Sequence, residues 1–85
     1  PMLAYAHLTL RFKRDRTIPE SELLEMITAQ GFSIANMSYS TDREADFFEY
    51  AMTVRTAARG NMSRLSEVLS RNEYLIGFCL VQTGD

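Results

Sequence analysis

Residues 47–55 constrain the fold more than any other stretch of the chain, because their side chains alternate in character along its whole length. One set of alternate positions is entirely apolar, namely Phe48, Tyr50, Met52 and Val54. Successive side chains of a strand point to opposite faces of a sheet, so this pattern predicts a β-strand with one buried face. The other set places Phe47 and Ala51 beside charged residues. Such a half-apolar face often meets a partner in a small domain.

Three further segments show strand periodicity. Residues 4–12 are apolar at the even positions, which predicts the core face of a first strand. Residues 32–39 predict a second strand, whose alternation changes phase midway, as happens at a bulge or on an exposed edge. Residues 74–82 predict the last strand. Its alternation assigns Ile76 to one face, with Phe78 and Leu80, and Leu75 to the opposite face.

Two helical segments separate these strands. The first is predicted over Ser21–Gln30, with Thr17 as N-cap and Glu20 reaching back to complete a capping box. Gly31 ends it, because glycine adopts positive φ at little cost. The second helix is predicted to begin at Asn61, a residue type that caps helix N-termini well.

The resulting order, βαββαβ, predicts a ferredoxin-like α+β fold. Right-handed crossovers then give four antiparallel strands in the order 4-1-3-2, with two helices on one face of the sheet. The length of 85 residues predicts a single domain over 1–85.

Composition excludes several classes of protein. The net charge of -2 argues against a nucleic-acid partner, which a basic surface would attract. No apolar run approaches the roughly 20 residues of a membrane-spanning helix. The single cysteine cannot form an internal disulfide, which favours a reducing compartment.

No catalytic residue is predicted, although two side chains could carry chemistry. His7 is the only histidine, and Glu49 on the neighbouring strand could orient it. Cys79 on the last strand could form a nucleophilic pair with His7. Since no third group completes the Cys79–His7 pair, we interpret His7 as a residue that lines a partly covered sheet face and Cys79 as a small packing residue.

Two charged clusters are interpreted as solvated loops. The acidic residues of segment 42–46 could offer oxygen ligands to Mg²⁺ or Ca²⁺, but an arginine lies among them and no glycine shapes a calcium loop. The basic residues of segment 11–16 could hold an anion or an acidic partner. We predict no metal site and no cofactor.

Pro1 raises an enzymatic alternative. Tautomerases with an N-terminal proline use its secondary amine as a base, with a strand directly behind it and an arginine near the end of that strand. Pro1 and Arg11 match this arrangement superficially. The first helix is shorter here than in those enzymes.

Three segments carry a family resemblance: Tyr5–Phe12 (YAHLTLRF), Phe48–Thr56 (FEYAMTVRT) and Ile76–Asp85 (IGFCLVQTGD). With the βαββαβ layout, the chain resembles ACT and ACT-like regulatory domains. More narrowly, it resembles the C-terminal cytoplasmic domain of the MgtC/SapB family of bacterial inner-membrane proteins. Members often close on a Pro-Thr-Gly-Asp-like tail, where this chain has Gln82 in place of the proline.

The resemblance implies a biological setting. A hydrophobic membrane domain would precede this chain, which would lie on the cytoplasmic side of the inner membrane of a protein associated with magnesium-limited growth and virulence. Amino-acid-binding ACT domains usually carry a glycine in the turn after the first strand. Here that turn reads Asp15-Arg16-Thr17-Ile18-Pro19-Glu20, whose side chains would crowd a ligand.

We therefore predict a non-catalytic regulatory or protein-interaction domain. It would bind a protein partner or a second copy through its open sheet face or its strand edges. The predicted contact residues are Tyr5, His7, Phe47, Ala51, Leu75 and Cys79. The alternatives are a small-ligand-sensing ACT domain and an N-terminal-proline tautomerase.

Overall fold

The computed structural model describes residues 3–84 and contains six regular elements. They are β1 (Ala4–Lys13), α1 (Glu20–Thr28), β2 (Phe32–Asp42), β3 (Phe47–Thr56), α2 (Gly60–Ser70) and β4 (Leu75–Thr83). The strands form one sheet in the order β2-β3-β1-β4, and all neighbours are antiparallel. This confirms the predicted ferredoxin-like α+β fold. No helix within residues 3–84 is long and apolar enough to cross a lipid bilayer.

The hydrophobic core lies between one face of the sheet and the two helices. The even positions of β1 and β3 supply most of the sheet side of this core: Ala6, Leu8, Leu10, Phe12, Tyr50, Met52 and Val54. Leu23 and Ile27 of α1 and Leu65 and Leu69 of α2 cover them. Burial of this apolar area is the main stabilising contribution, and it places both helices on the same side.

The start of α1 differs from the prediction. The helix begins at Glu20, and the carbonyl of Pro19 accepts hydrogen bonds from the backbone N–H groups of Glu22 and Leu23, both at 3.1 Å. No side chain caps it, so the predicted capping box at Thr17 is wrong. The reason is local, because the residue before a proline is driven out of the helical region and Ile18 therefore cannot be the first helical residue.

The start of α2 also differs. Its N-cap is Arg59, and the Asn61 side chain donates instead to Thr56 Oγ1 at 2.8 Å, which joins the helix to the end of β3. Gly31, with φ of +89°, faces the same junction, where an added Cβ would lie 2.5 Å from Asn61 Nδ2. The predicted N-cap at Asn61 is therefore wrong, whereas the predicted positive φ at Gly31 is confirmed.

The predicted irregularity in β2 is a bulge on an edge strand. The register with β3 shifts between Ala35 and Ser38, and Asn36 has φ of +55°. The strand also continues to Asp42, beyond the predicted end at Tyr39. The mostly polar strand β2 thus pairs with β3 over two short regular segments, one on each side of the bulge.

A second bulge, in β4, was not predicted. Leu75 pairs with Phe12 and Gly77 with Arg11, which leaves Ile76 as the extra residue. Leu75 consequently packs against the core, whereas 60% of Ile76 is exposed. The sequence-based assignment of these two residues to faces is wrong, because one inserted residue reverses the parity of every position before it.

Candidate functional site

The sheet face opposite the helices, called the open face below, is the candidate site. Its centre consists of the odd positions of β1 and β3, aligned by the strand register with positions of β4. From one end, the rows are Arg55–Tyr5–Thr83, Thr53–His7–Val81, Ala51–Thr9–Cys79 and Glu49–Arg11–Gly77. On the β2 side, Ser33, Ala35, Ser38 and Ser40 extend the same rows.

The structure brings five of the six predicted contact residues to the open face. Tyr5, His7, Phe47, Ala51 and Cys79 share it. Leu75 does not, because the β4 bulge turns it toward the core. Tyr5 and Val81 are large apolar side chains exposed there, at 42% and 51%. Partner binding by these residues stays a prediction.

Arg11 organises one end of the open face. Its Nε donates to Glu49 Oε1 at 2.6 Å, and its guanidinium lies 4.3 Å from the centroid of the Phe47 ring. Phe47 is therefore half-buried beneath a charged group and offers less apolar surface than the sequence suggested. Glu49 pairs with this arginine rather than orienting His7.

His7 and Cys79 lie on neighbouring strands but not opposite each other. His7 aligns with Val81, and Cys79 aligns with Thr9. The two residues are thus diagonal neighbours, which lie about 7–8 Å apart on adjacent strands. No hydrogen bond joins the His7 and Cys79 side chains in the structure of residues 3–84, so the nucleophile–base contact is not formed.

Ion pairs hold much of the basic cluster that the sequence suggested. Arg14 lies 3.9 Å from Asp46, and Arg16 lies 3.1 Å from Glu73. The Arg16 guanidinium also stacks over the ring of Tyr74, 4.4 Å from its centroid. These contacts reduce the positive field that an anionic partner would meet.

The acidic segment 42–46 forms a turn between β2 and β3. Asp42 Oδ1 accepts a hydrogen bond from the backbone N–H of Ala45 at 2.8 Å, and Asp46 has φ of +58°. Within residues 3–84, no three His, Cys, Asp or Glu side chains come together in a way that could hold a metal ion. Asp42 thus shapes the turn.

A tyrosine pair on the helix side was not predicted. Tyr39 donates its hydroxyl to Glu20 Oε1 at 2.8 Å, and its ring meets Tyr50 edge to face at 5.7 Å. The bond to Glu20 is the main cause that raises the pKa of Tyr39 above its usual 10.0. Burial, with a smaller effect of Glu20, raises the pKa of Tyr50. This contact ties the edge strand β2 to the start of α1.

Shallow depressions run along the open face, and two of them adjoin the predicted contact residues Tyr5, His7 and Ala51. One, of about 400 Å³, is lined by His7, Thr9, Ser38 and Ala51 among others. The second, of about 280 Å³, lies beside Tyr5 and includes Arg55, whose Nε donates to Ser33 Oγ at 2.7 Å. Both depressions are open to solvent, so they could receive side chains of a protein partner.

Comparison with known proteins supports the fold. No family model matches the chain, and no curated protein matches it in sequence. It is similar in structure to the C-terminal domain of the MgtC protein from Mycobacterium tuberculosis, with a TM-score of 0.72, 8% identity, and 95% of this chain and 88% of that chain covered. It is also similar to the de novo designed protein Foldit4, with a TM-score of 0.68, 12% identity and 99% of each chain covered. The predicted resemblance to the MgtC C-terminal domain is thus confirmed at the level of the fold.

Proposed function

We propose that this chain is a non-catalytic interaction domain, the cytoplasmic regulatory part of an MgtC-like protein of the bacterial inner membrane. The fold likeness to the MgtC C-terminal domain, over 95% of the chain, supports the family link. Through that link, we connect the domain with growth under magnesium limitation.

The observation that carries the proposal is the open face itself. Both helices lie on the opposite side of the sheet, and no element of residues 3–84 covers this one. Exposed Tyr5 and Val81 lie among small and hydroxyl-bearing residues, and the Arg11–Glu49 pair lies two rows beyond Val81. A surface with apolar anchors inside a polar surround is typical of a protein–protein contact.

The two alternative functions are less well supported. A hydrogen bond from Arg16 N–H to Lys13 O, 3.0 Å long, closes the turn after β1, where amino-acid-sensing relatives would place a glycine. An amino acid at about 100 times its dissociation constant would add roughly 2.7 kcal/mol to stability, so a thermal-shift screen tests sensing directly. Pro1, on which the tautomerase hypothesis rests, lies outside the described residues.

The proposal is tested by changing this chain within the full protein that contains it and measuring growth of the bacterium. We expect that deleting residues 3–84 impairs growth at low magnesium, and that the open-face substitution Ala51→Glu impairs it as much. Ala51 is half-buried on the open face, so a charge there disrupts docking. Ser63→Glu, on the exposed side of α2, is the matched control and should grow like the wild type. Normal growth of the deletion strain would refute the proposal.

A further inference from the structure

The outer edge of β4 carries no charge along its whole length, whereas the other edge strand, β2, ends at the charged Asp42. The strand reads LIGFCLVQT over its nine residues, without lysine, aspartate or proline. Natural edge strands usually carry such residues to prevent pairing with another chain. Exposed Ile76 and Val81 add apolar surface to this edge. No other strand of residues 3–84 pairs with it.

The opposite edge, formed by β2, is protected. Its bulge between Ala35 and Ser38 interrupts the strand in the middle, and Asn36 there has positive φ. In β4 the bulge lies near the start, so the register from Gly77 to Thr83 is uninterrupted. The β4 edge therefore presents the longer straight row of backbone groups, seven residues from Gly77 to Thr83 against five from Ser38 to Asp42 in β2.

We propose that the β4 edge pairs antiparallel with β4 of a second copy of this chain, about a two-fold axis at Cys79. Because β4 is uncharged, two copies can approach without like-charge repulsion. An isologous contact places the same strand on both sides, as the two-fold symmetry requires. The product is one continuous sheet of eight strands.

Side-chain matching fixes the register. With the axis at Cys79, Phe78 faces Leu80 of the second copy on the helix side, and Gly77 faces Val81 of the second copy on the open side. Every pair over Gly77–Val81 is then free of polar side chains. A shift of the axis to Leu80 would place Phe78 opposite Gln82, and a shift to Phe78 would draw the bulged Ile76 into the pairing.

The role of this dimer rests on the proposed function, although the pairing itself does not. About five residues a side form a small contact, of the kind found in transient complexes. Two copies held in one membrane would meet at an effective concentration on the order of millimolar. A weak contact then suffices to join them, and the open faces of the pair become one continuous docking surface.

Sedimentation equilibrium of the 85-residue chain in reducing buffer, up to about 1 mM, tests the pairing. We expect the average mass to rise from one chain to two and no further. Cys79→Lys and Cys79→Glu each place like charges opposite each other, so each variant should stay monomeric, and their equimolar mixture should dimerise. Cys79 is exposed, so these substitutions leave the fold intact, which circular dichroism verifies. Ser40→Lys on the β2 edge is the matched control and should dimerise like the wild type.

Cross-linking tests the register. Opposite Cα atoms of an antiparallel pair lie about 4.5–5.5 Å apart, within the range that a disulfide spans. Diamide, which takes up the two protons and two electrons of two thiols, should therefore link wild-type dimers through Cys79. The variant Cys79→Ser/Ser40→Cys, with the thiol moved to the β2 edge, should lose this product.

The unfavourable outcomes are distinct. A wild-type chain that stays monomeric, or a Cys79→Lys variant that dimerises like the wild type, would overturn the β4 pairing. Neither result touches the proposed function, since the open face could still bind a different protein. Conversely, normal growth of the deletion strain would refute the proposed function. A dimer measured in solution would still support the β4 pairing.

Discussion

The bulge in β4 yields a sharp prediction about two adjacent side chains. Leu75 packs against the core and Ile76 is 60% exposed, although simple alternation assigns them the other way. Truncating a fully buried leucine to alanine costs about 2–5 kcal/mol. Leu75 is only half-buried, so we expect Leu75→Ala to lower the free energy of unfolding by about 1–2 kcal/mol. We expect Ile76→Ala to change it by about 0.5 kcal/mol or less.

The comparison is internally controlled, because both variants place alanine in the same strand and share the cost of its poor strand propensity. Thermal unfolding at low protein concentration, where the chain is monomeric, measures the difference. A gap of about 1 kcal/mol corresponds to roughly 4–8 °C in Tm for a domain of this size. Equal losses, or a larger loss from Ile76→Ala, would refute the bulge and return Ile76 to the core.

Three further predictions concern other contacts. Gly31→Ala should destabilise the fold by about 1–2 kcal/mol in urea unfolding, because φ there is +89°; an unchanged midpoint would contradict this. Glu20→Gln should lower the pKa of Tyr39 toward 10.0 in an ultraviolet titration. Because the pKa of Tyr39 is raised in the folded state, its hydrogen bond to Glu20 contributes its full stabilisation below pH 10. This contribution is lost as the pH rises through the raised pKa. The free energy of unfolding of the variant should therefore fall less at alkaline pH than that of the wild type. Glu49→Gln should cost about 0.2–1 kcal/mol and progressively less as salt increases, since Arg11 is half exposed; an effect insensitive to salt would point to packing instead.

The fold followed from the sequence because its central strands obey one simple rule. In β1 and β3 every second residue is apolar, and these strands bury that side as alternation requires. The predicted helix starts were wrong because neighbouring residues overrode the local capping preference. Ile18 cannot continue a helix before Pro19, and Asn61 binds Thr56 rather than the helix end. An inserted residue such as Ile76 leaves no mark in composition, so periodicity alone cannot reveal it.

The candidate site was predictable in position but not in detail. Alternation assigned Tyr5, His7 and Ala51 to the open face, because β1 and β3 are regular throughout their pairing. It could not show that Arg11 covers Phe47, since that contact depends on which residues the register sets side by side. The opposite charges of Arg11 and Glu49 were a usable signal once the two strands were known to pair.

The two edges of the sheet together determine what kind of assembly this domain can form. A sheet with two open edges adds copies at both ends and grows into a fibre, whereas a sheet with two blocked edges stays alone. Here the bulge divides β2 into two short polar pieces that offer little to pair with, whereas the uncharged β4 is straight from Gly77 to Thr83. Among copies of this chain, the β4 edge then pairs only with another β4 edge, after which both remaining edges are β2 strands. The same asymmetry that permits association therefore limits it to two chains, which is why a mass above two chains would contradict the proposed pairing as firmly as a strict monomer.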